Sequence, residues 1–444
     1  MRGYYGGTIG YNAWELIIIM KRMIVIISAL LLATGCFHKS ATPKEITIEN
    51  ESHMPEVQTK IQSTPRASVP VPTHTSIAKS TPSPSPTSKP LVITSIEEKS
   101  LKPRVTKVTL AAIGDVLIHD KIYWDAEQKD GTYQFAPMFG PVKRFLERPD
   151  ILVANQETMI GGKRMRLSSY PAFNSPHEVG NALKDVGVDV VTIANNHSLD
   201  RGEKVIQSAL SHWDTLGMPY TGTFKSQSDR EQIRTMTKND VTFSFLSYTY
   251  GTNGISTPKG KPFLINRIDE NQIRQDVEHA KHMSDVIVVA VHWGKEYQRL
   301  PDHDQTVLAQ KLADMGVHIV IGNHPHVLQP PAWVTSKNGH RAFVMYSLGN
   351  FISAQTDLYK QIGGMATIEV LKTTSNNQSF IELQSPSFLP TFTYSDKGHQ
   401  YRILSMDVLT NRQLPHAVDH YEKIKKHMRT YMSELQFLLT PNES

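Results

Sequence analysis

Val317-His318-Ile319-Val320-Ile321 runs directly into Gly322-Asn323-His324-Pro325-His326. A short apolar run bounded by glycine reads as a buried strand, and the residues that end this one carry imidazole and amide groups. The arrangement recurs along the chain. Val105 to Ile113 ends in Gly114-Asp115, Asp150 to Ala154 in Asn155-Gln156-Glu157-Thr158, Val188 to Ala194 in Asn195-Asn196-His197, and Val286 to Val291 in His292-Trp293-Gly294. Helix patterns lie between these runs. One starts with Ser175 as cap and Pro176 in the first turn and continues to about Val186. Another covers Arg201 to Leu216 and is stopped by Gly217, a polar one covers Asp269 to Met283, and one covers Asp304 to Met315. Strands alternating with helices predict an α/β domain. Val241 to Thr249 reads as a further strand, Thr391 to Leu409 as more β-structure, and Leu414 to Leu438 as one amphipathic helix closing the domain.

In α/β sheets, functional groups gather where strands end and loops emerge side by side. Singly, each ending has a structural explanation: Asp115 as a turn residue, Glu157 beside a helix cap, Asn195 and Asn196 as loop formers, His292 satisfied by a carbonyl. Together, one Asp, one Glu, one Asn and three His supply the hard oxygens and imidazoles that a two-metal hydrolytic site needs. His324-Pro325-His326 is the most specific element, because in an extended turn residues i and i+2 face the same way and Pro325 stiffens the spacing. His119, four residues after Asp115, and Asn155 are further candidates for the site. The only cysteine is Cys36, which excludes a disulfide framework, a cysteine-based zinc site and an iron–sulfur cluster.

Of 444 residues, 39% are hydrophobic and 20% charged, which is a globular composition. Lys and Arg number 47 against 42 Asp and Glu, and a dispersed excess of +5 is too small for a nucleic-acid binder. The amino-terminal part reads as an address. Met20-Lys21-Arg22-Met23 leads into an apolar run from Ile24 to Ala33 and then Thr34-Gly35-Cys36. That is the layout of an export signal over residues 20–35, resembling a bacterial lipobox with Ala33 where Leu is commoner. The resemblance implies that Cys36 is lipidated and becomes the first mature residue, on the outer side of the cell membrane. Residues 1–19 are then expected to be an upstream extension, with Met20 or Met23 as the start. Residues 36–104 are rich in Pro, Ser and Thr, including Thr81-Pro82-Ser83-Pro84-Ser85-Pro86, and read as a disordered tether after the anchored cysteine.

The strand-end motifs carry a family resemblance. Ala112-Ile113-Gly114-Asp115, Ala154-Asn155-Gln156-Glu157-Thr158, Ala194-Asn195-Asn196-His197 with Asp200 and Gly202, and His292-Trp293-Gly294 with Glu296-Tyr297 form its first part. Gly322-Asn323-His324-Pro325-His326-Val327 and Tyr346-Ser347-Leu348-Gly349-Asn350-Phe351 complete it. In these motifs the sequence resembles CapA-type bacterial capsule synthesis proteins, whose members act in poly-γ-glutamate production. That family is similar in turn to calcineurin-like metallophosphoesterases. The resemblance implies a four-layer α/β/β/α sandwich over 105–355, with 356–444 adding C-terminal β-structure and a closing helix to the same domain. It implies Asp115, Glu157, Asn196, His292, His324 and His326 as ligands to two divalent metal ions (Mn, Fe, Zn or Mg), and His197 as proton donor, with Asp200 a further catalytic candidate. Phosphoesterases of that superfamily open with Asp and His two apart and use Asp in the second motif. Here His119 is four residues from Asp115, and Glu157 takes the second position.

Three functional classes follow. The leading one is a lipid-anchored capsule-synthesis factor with a metallohydrolase-like core, partnered by poly-γ-glutamate and by capsule synthase subunits. The others are a two-metal phosphoesterase or hydrolase with another envelope substrate, and a non-catalytic scaffold that binds polymer or synthase. Gly161-Gly162-Lys163-Arg164-Met165-Arg166 is either a polyanion-binding loop or a solvated one. Trp293, Tyr297 and Phe351 either wall the site or pack the core, and Asp200 either accepts a hydrogen bond from His197 or caps the next helix.

Overall fold

The computed structural model describes residues 103–376 and 378–441. The expected export signal, Cys36 and the expected tether up to residue 102 lie outside the described residues. Among the described residues, no helix is long and apolar enough to cross a membrane.

Two large sheets form the centre. The first has the strand order β16-β15-β14-β1-β2-β3-β4. Its parallel half is β1 (Arg104–Val116), β2 (Ile151–Gln156), β3 (Val190–Thr192) and β4 (Tyr220–Thr221). β14 (Ile362–Ser375), β15 (Gln378–Asp396) and β16 (His399–Ser405) continue it antiparallel, while β13 (Asn350–Ile352) pairs with β1 and β17 (Gln436–Phe437) with β15. The second sheet has the order β10-β11-β8-β7-β6-β5, from β5 (Arg234–Lys238), β6 (Val241–Thr249), β7 (Val286–His292), β8 (Ile319–Asn323), β10 (Ala332–Thr335) and β11 (Arg341–Met345). A short ribbon of β9 (Leu328–Gln329) and β12 (Ser347–Leu348) lies beside them in sequence.

Side-chain alternation builds the layers. Along β1, Ala111 and Ile113 point to one core with Val179, Leu183, Leu210 and Trp213 of the helices Glu178–Asp185 and Gly202–Leu216. Leu110 and Ala112 point the other way, into a core shared with Phe243, Phe245, Val288 and Ile321 of the second sheet. On that sheet's far face, Ile287, Val289 and Val320 meet Ile273, Val277, Leu308 and Leu312 of the helices Glu270–Lys281 and His303–Asp314. The result is the four-layer α/β/β/α sandwich expected. Buried on both faces, the parallel strands read in sequence as nearly continuous apolar runs.

Two local readings differ from expectation. The helix expected from Ser175 begins at Glu178, because Ser175 is drawn to the loop after β2: its hydroxyl donates to Thr158 Oγ1 at 2.8 Å and its N–H to the Met159 carbonyl at 2.8 Å. The expected closing helix covers only Ala417–Met428. Met432 and Leu435 continue its apolar pattern into the core between the sheets, but from a turn that leads into β17. Of the aromatic trio, Trp293 and Phe351 take the core-packing alternative. Trp293 packs behind the second sheet with its Nε1 donating to the Tyr346 carbonyl at 2.9 Å, and Phe351 packs behind the first, 6.3 Å from Phe139.

Candidate functional site

Strand ends from both sheets meet at one edge of the sandwich. Asp115 lies near the end of β1, Glu157 follows β2, Asn196 follows β3, His292 ends β7, and His324 and His326 follow β8. Backbone proximity sets this edge. A Cβ on Gly114 would stand 2.1 Å from the Gly349 carbonyl oxygen, and one on Gly322 would stand 2.1 Å from the Tyr346 oxygen, so neither position accepts a side chain. The loop after β3 is held by Asn195, whose Oδ1 accepts the His197 N–H at 3.0 Å while its Nδ2 donates to the Gln156 carbonyl at 3.1 Å.

The six residues proposed as ligands converge. His326 Nδ1 is 3.3 Å from Asp115 Oδ2, and Glu157 Oε1 is 3.7 Å from His326 Nε2 and 3.5 Å from His292 Nε2. Asn196 Oδ1 faces His292 Nε2 at 2.8 Å. The rings of His292 and His324 are 4.8 Å apart. Sequence predicts that His324 and His326 face one cluster from an extended turn; they do face it, but both have left-handed backbones, with φ of 99° and 57°. Such conformations are uncommon outside glycine and concentrate where tertiary structure imposes them.

Asn155 and His119 take other places. Asn155 Nδ2 donates to Asp115 Oδ1 at 2.8 Å, so it orients a carboxylate. His119 Nδ1 faces the Leu117 carbonyl at 3.2 Å, its ring stands edge-on to Phe173, and burial pulls its pKa down to about 4.

The donor set fits divalent cations. Glu157 is fully buried, yet neither of its carboxylate oxygens has a hydrogen-bond partner, nor has His292 Nδ1 or His324 Nδ1. A buried carboxylate without compensation is strongly unfavourable. Ligand atoms of Glu157, His292 and His324 lie within 4.8 Å of one another, as do those of Asp115, Glu157 and His326. Glu157 belongs to both groups. Burial pushes the Glu157 carboxyl up, but the imidazoles of His326, His292 and His197 outweigh it and hold the group well below the usual carboxylate range. Burial likewise lowers His326, and Glu157 and Asp115 reverse that, pushing it to about 9. His324 goes the other way, pulled far down by burial and by its neighbours His292 and His326.

Above the cluster opens a cavity of about 360 Å³, lined by Leu117, His119, Phe173, His197, Tyr297 and His326 among others. His197 Nδ1 contacts Asp200 Oδ2 at 2.7 Å, which resolves the two readings of Asp200 in favour of His197; the following helix is preceded by Arg201 and has no side-chain cap. Lys163 of the basic loop bonds the Gly131 carbonyl at 3.0 Å and sits over the Tyr133 ring.

Sequence reasoning missed three contributors. Asn350 Oδ1 lies 3.0 Å from His326 Nδ1, brought there by the pairing of β13 with β1 that sets Asn350 opposite Asp115. Tyr250 lies 4.6 Å from the His324 ring, and burial pushes its hydroxyl up to about 12. Glu296 forms a third group with His324 and His326. Asn350 and Glu296 stand within quoted motifs, and Tyr250 directly follows β6.

The family model described as "Bacterial capsule synthesis protein PGA_cap" matches residues 109–355. The capsule biosynthesis protein CapA of Bacillus anthracis is 26% identical over 319 residues, covering 68% of this chain and 74% of that protein. The PGA biosynthesis protein CapA of Bacillus subtilis is 29% identical over 249 residues, covering 55% of this chain and 62% of that protein, so the match spans under two thirds of this relative's length. Among solved structures, the Haemophilus influenzae NAD nucleotidase aligns with a TM-score of 0.41 at 10% identity, over 76% of this chain and 64% of that one.

Proposed function

The chain belongs to the bacterial capsule synthesis protein family PGA_cap, and from that membership we propose that it serves poly-γ-glutamate capsule synthesis or export as a lipid-anchored protein on the outer side of the cell membrane, with a two-cation hydrolase site. The observation that carries the hydrolytic part is Glu157, a fully buried carboxylate with both oxygens unpartnered among three histidines and Asp115.

In this reading Asp115, Glu157, Asn196, His292, His324 and His326 hold the cations. Divalent ions held in such a set polarise a scissile bond and make water nucleophilic near neutral pH. Asn155 fixes Asp115, and Asn350 fixes His326. His197 lines the cavity next to the cluster, and Asp200 occupies its Nδ1, so Nε2 is the nitrogen free to give a proton to a leaving group. The substrate is an anionic polymer, and capsule synthase subunits are the expected protein partners.

The test is the protein's metal content after purification, together with hydrolysis of poly-γ-glutamate and of a generic phosphodiester. Metal retention with cleavage of the polymer supports the reading; cleavage of the phosphodiester alone moves the protein to another envelope substrate; absence of metal leaves a scaffold. The anchor is tested by Cys36→Ala and cell fractionation. Release of the variant from the membrane is expected, and continued attachment after signal cleavage would refute lipidation.

A further inference from the structure

Glu296 stands four residues after His292, exposed at the solvent face of the histidine cluster. Its carboxylate comes within 4.8 Å of ligand nitrogens of both His324 and His326. The backbone is arranged to keep it there. Gly294 has φ of 83° and Tyr297 φ of 65°, so the turn carrying Glu296 is left-handed on both sides of it. For a tyrosine that conformation is unfavourable and persists only where surrounding contacts impose it. The contact here is the Tyr297 N–H, which donates to the Pro325 carbonyl at 2.7 Å. Pro325 is the middle residue of the turn in which His324 and His326 are themselves left-handed. Two unfavourable turns are therefore joined by one hydrogen bond, and the product of the joining is one carboxylate brought to two imidazoles. Independently, His324 is only 3% exposed and its Nδ1 has no hydrogen-bond partner.

We propose that Glu296 is a solvent-side ligand of a divalent cation, shared with His324 and His326 and additional to the buried donors Asp115, Glu157, Asn196 and His292. This rests on the reading that the cluster holds divalent cations. The buried donors cannot move without opening the edge of the sandwich. Glu296 can, because it is exposed and reaches the cluster from one turn. Of the residues that would hold the cation, it is the one able to withdraw while the rest of the donor set stays in place.

Manganese(II) titrated into the full-length chain, read by calorimetry and by metal content after dialysis, tests the assignment. Residues that merely orient ligands commonly change metal affinity 10–100-fold, so removing a ligand should weaken one manganese site at least about tenfold. Glu296→Gln is expected to show that loss with an unchanged melting temperature of the metal-free protein, and Glu296→Asp, which keeps a carboxylate, is expected to recover part of it. Wild-type affinity and stoichiometry in Glu296→Gln would overturn the role of Glu296 and leave the buried centre standing. Equal weakening in the Gln and Asp variants would also overturn it, since it would trace the loss to the turn and not to the carboxylate. A wild-type chain that takes up no manganese would overturn both this proposal and the metal reading beneath it.

Discussion

His197 Nδ1 lies 2.7 Å from Asp200 Oδ2 with both side chains enclosed, at 7% and 2% exposure. The same Asp200 oxygen accepts the Phe173 N–H at 2.9 Å, and the Phe173 ring meets the His197 ring edge-on at 4.7 Å. One carboxylate oxygen thus fixes both the imidazole and the aromatic residue that packs against it.

From this follows a separation of roles. His197→Ala is expected to keep its metal while losing roughly 10²–10⁴-fold in hydrolytic turnover, the usual worth of a general acid. Asp115→Ala is expected to lose both. Metal analysis beside a rate measurement decides it, and equal metal loss in the two variants would make His197 a ligand.

Chelation should lower the melting temperature, and added manganese(II) should restore it, because an ion bound only by the folded state stabilises it by about 2.7 kcal/mol at 100 times its dissociation constant. His324→Ala and His326→Ala should melt at the same temperature with and without chelator. A wild-type midpoint indifferent to chelator would speak for a scaffold.

Away from the site, Arg230 grips Asp276 with both terminal guanidinium nitrogens, at 3.0 and 2.6 Å, and the Tyr248 hydroxyl donates to the same carboxylate at 2.7 Å. Arg230 and Asp276 side chains are each 11% exposed. Asp276→Ala leaves the arginine nearly enclosed and unpaired, so a loss of about 3–5 kcal/mol in denaturant unfolding is expected. Asp276→Asn, which still accepts from Tyr248, should lose less.

Acid sensitivity has a specific source in His318. Burial, reinforced by the neighbouring His340, pulls its pKa from 6.5 down to about 3, and its Nδ1 accepts the Ile287 N–H at 3.1 Å. Between about pH 6.5 and pH 3 the unfolded chain therefore binds a proton at this residue that the folded chain refuses. Stability rises with pH across that window and is lost as pH falls through it. Melting curves of His318→Gln should show a weaker acid dependence than wild type over the same range; parallel curves would assign the sensitivity elsewhere.

The parallel strands were legible because strands buried on both faces are largely apolar: β7 differs from its expected bounds only by including His292, and Val241–Thr249 matches its own although serines and threonines interrupt its apolar residues. The ligand candidates were legible for a related reason, since each follows such a run and parallel strands end side by side. Glu296 and Asn350 were not legible as contributors. One arrives through a backbone bond between Tyr297 and Pro325, and the other through pairing of β13 with β1, contacts that no local pattern encodes. The left-handed turn at His324 and His326 was hidden likewise, because histidine, though enriched at positive φ, adopts it in only a small fraction of cases.

The hydrogen bond from the His324 N–H to Asp115 Oδ2, at 3.3 Å, joins residues 209 positions apart in the chain. Contacts of such separation close late in folding, after their loop entropy has been met by other pairings. No early fragment can assemble this cluster: a chain ending before Asn350 lacks a partner of His326, and one ending before His324 lacks the second sheet's main contribution. On the proposed reading, cation capture would therefore be a terminal event in maturation, fastening the two sheets along one edge only after each has formed.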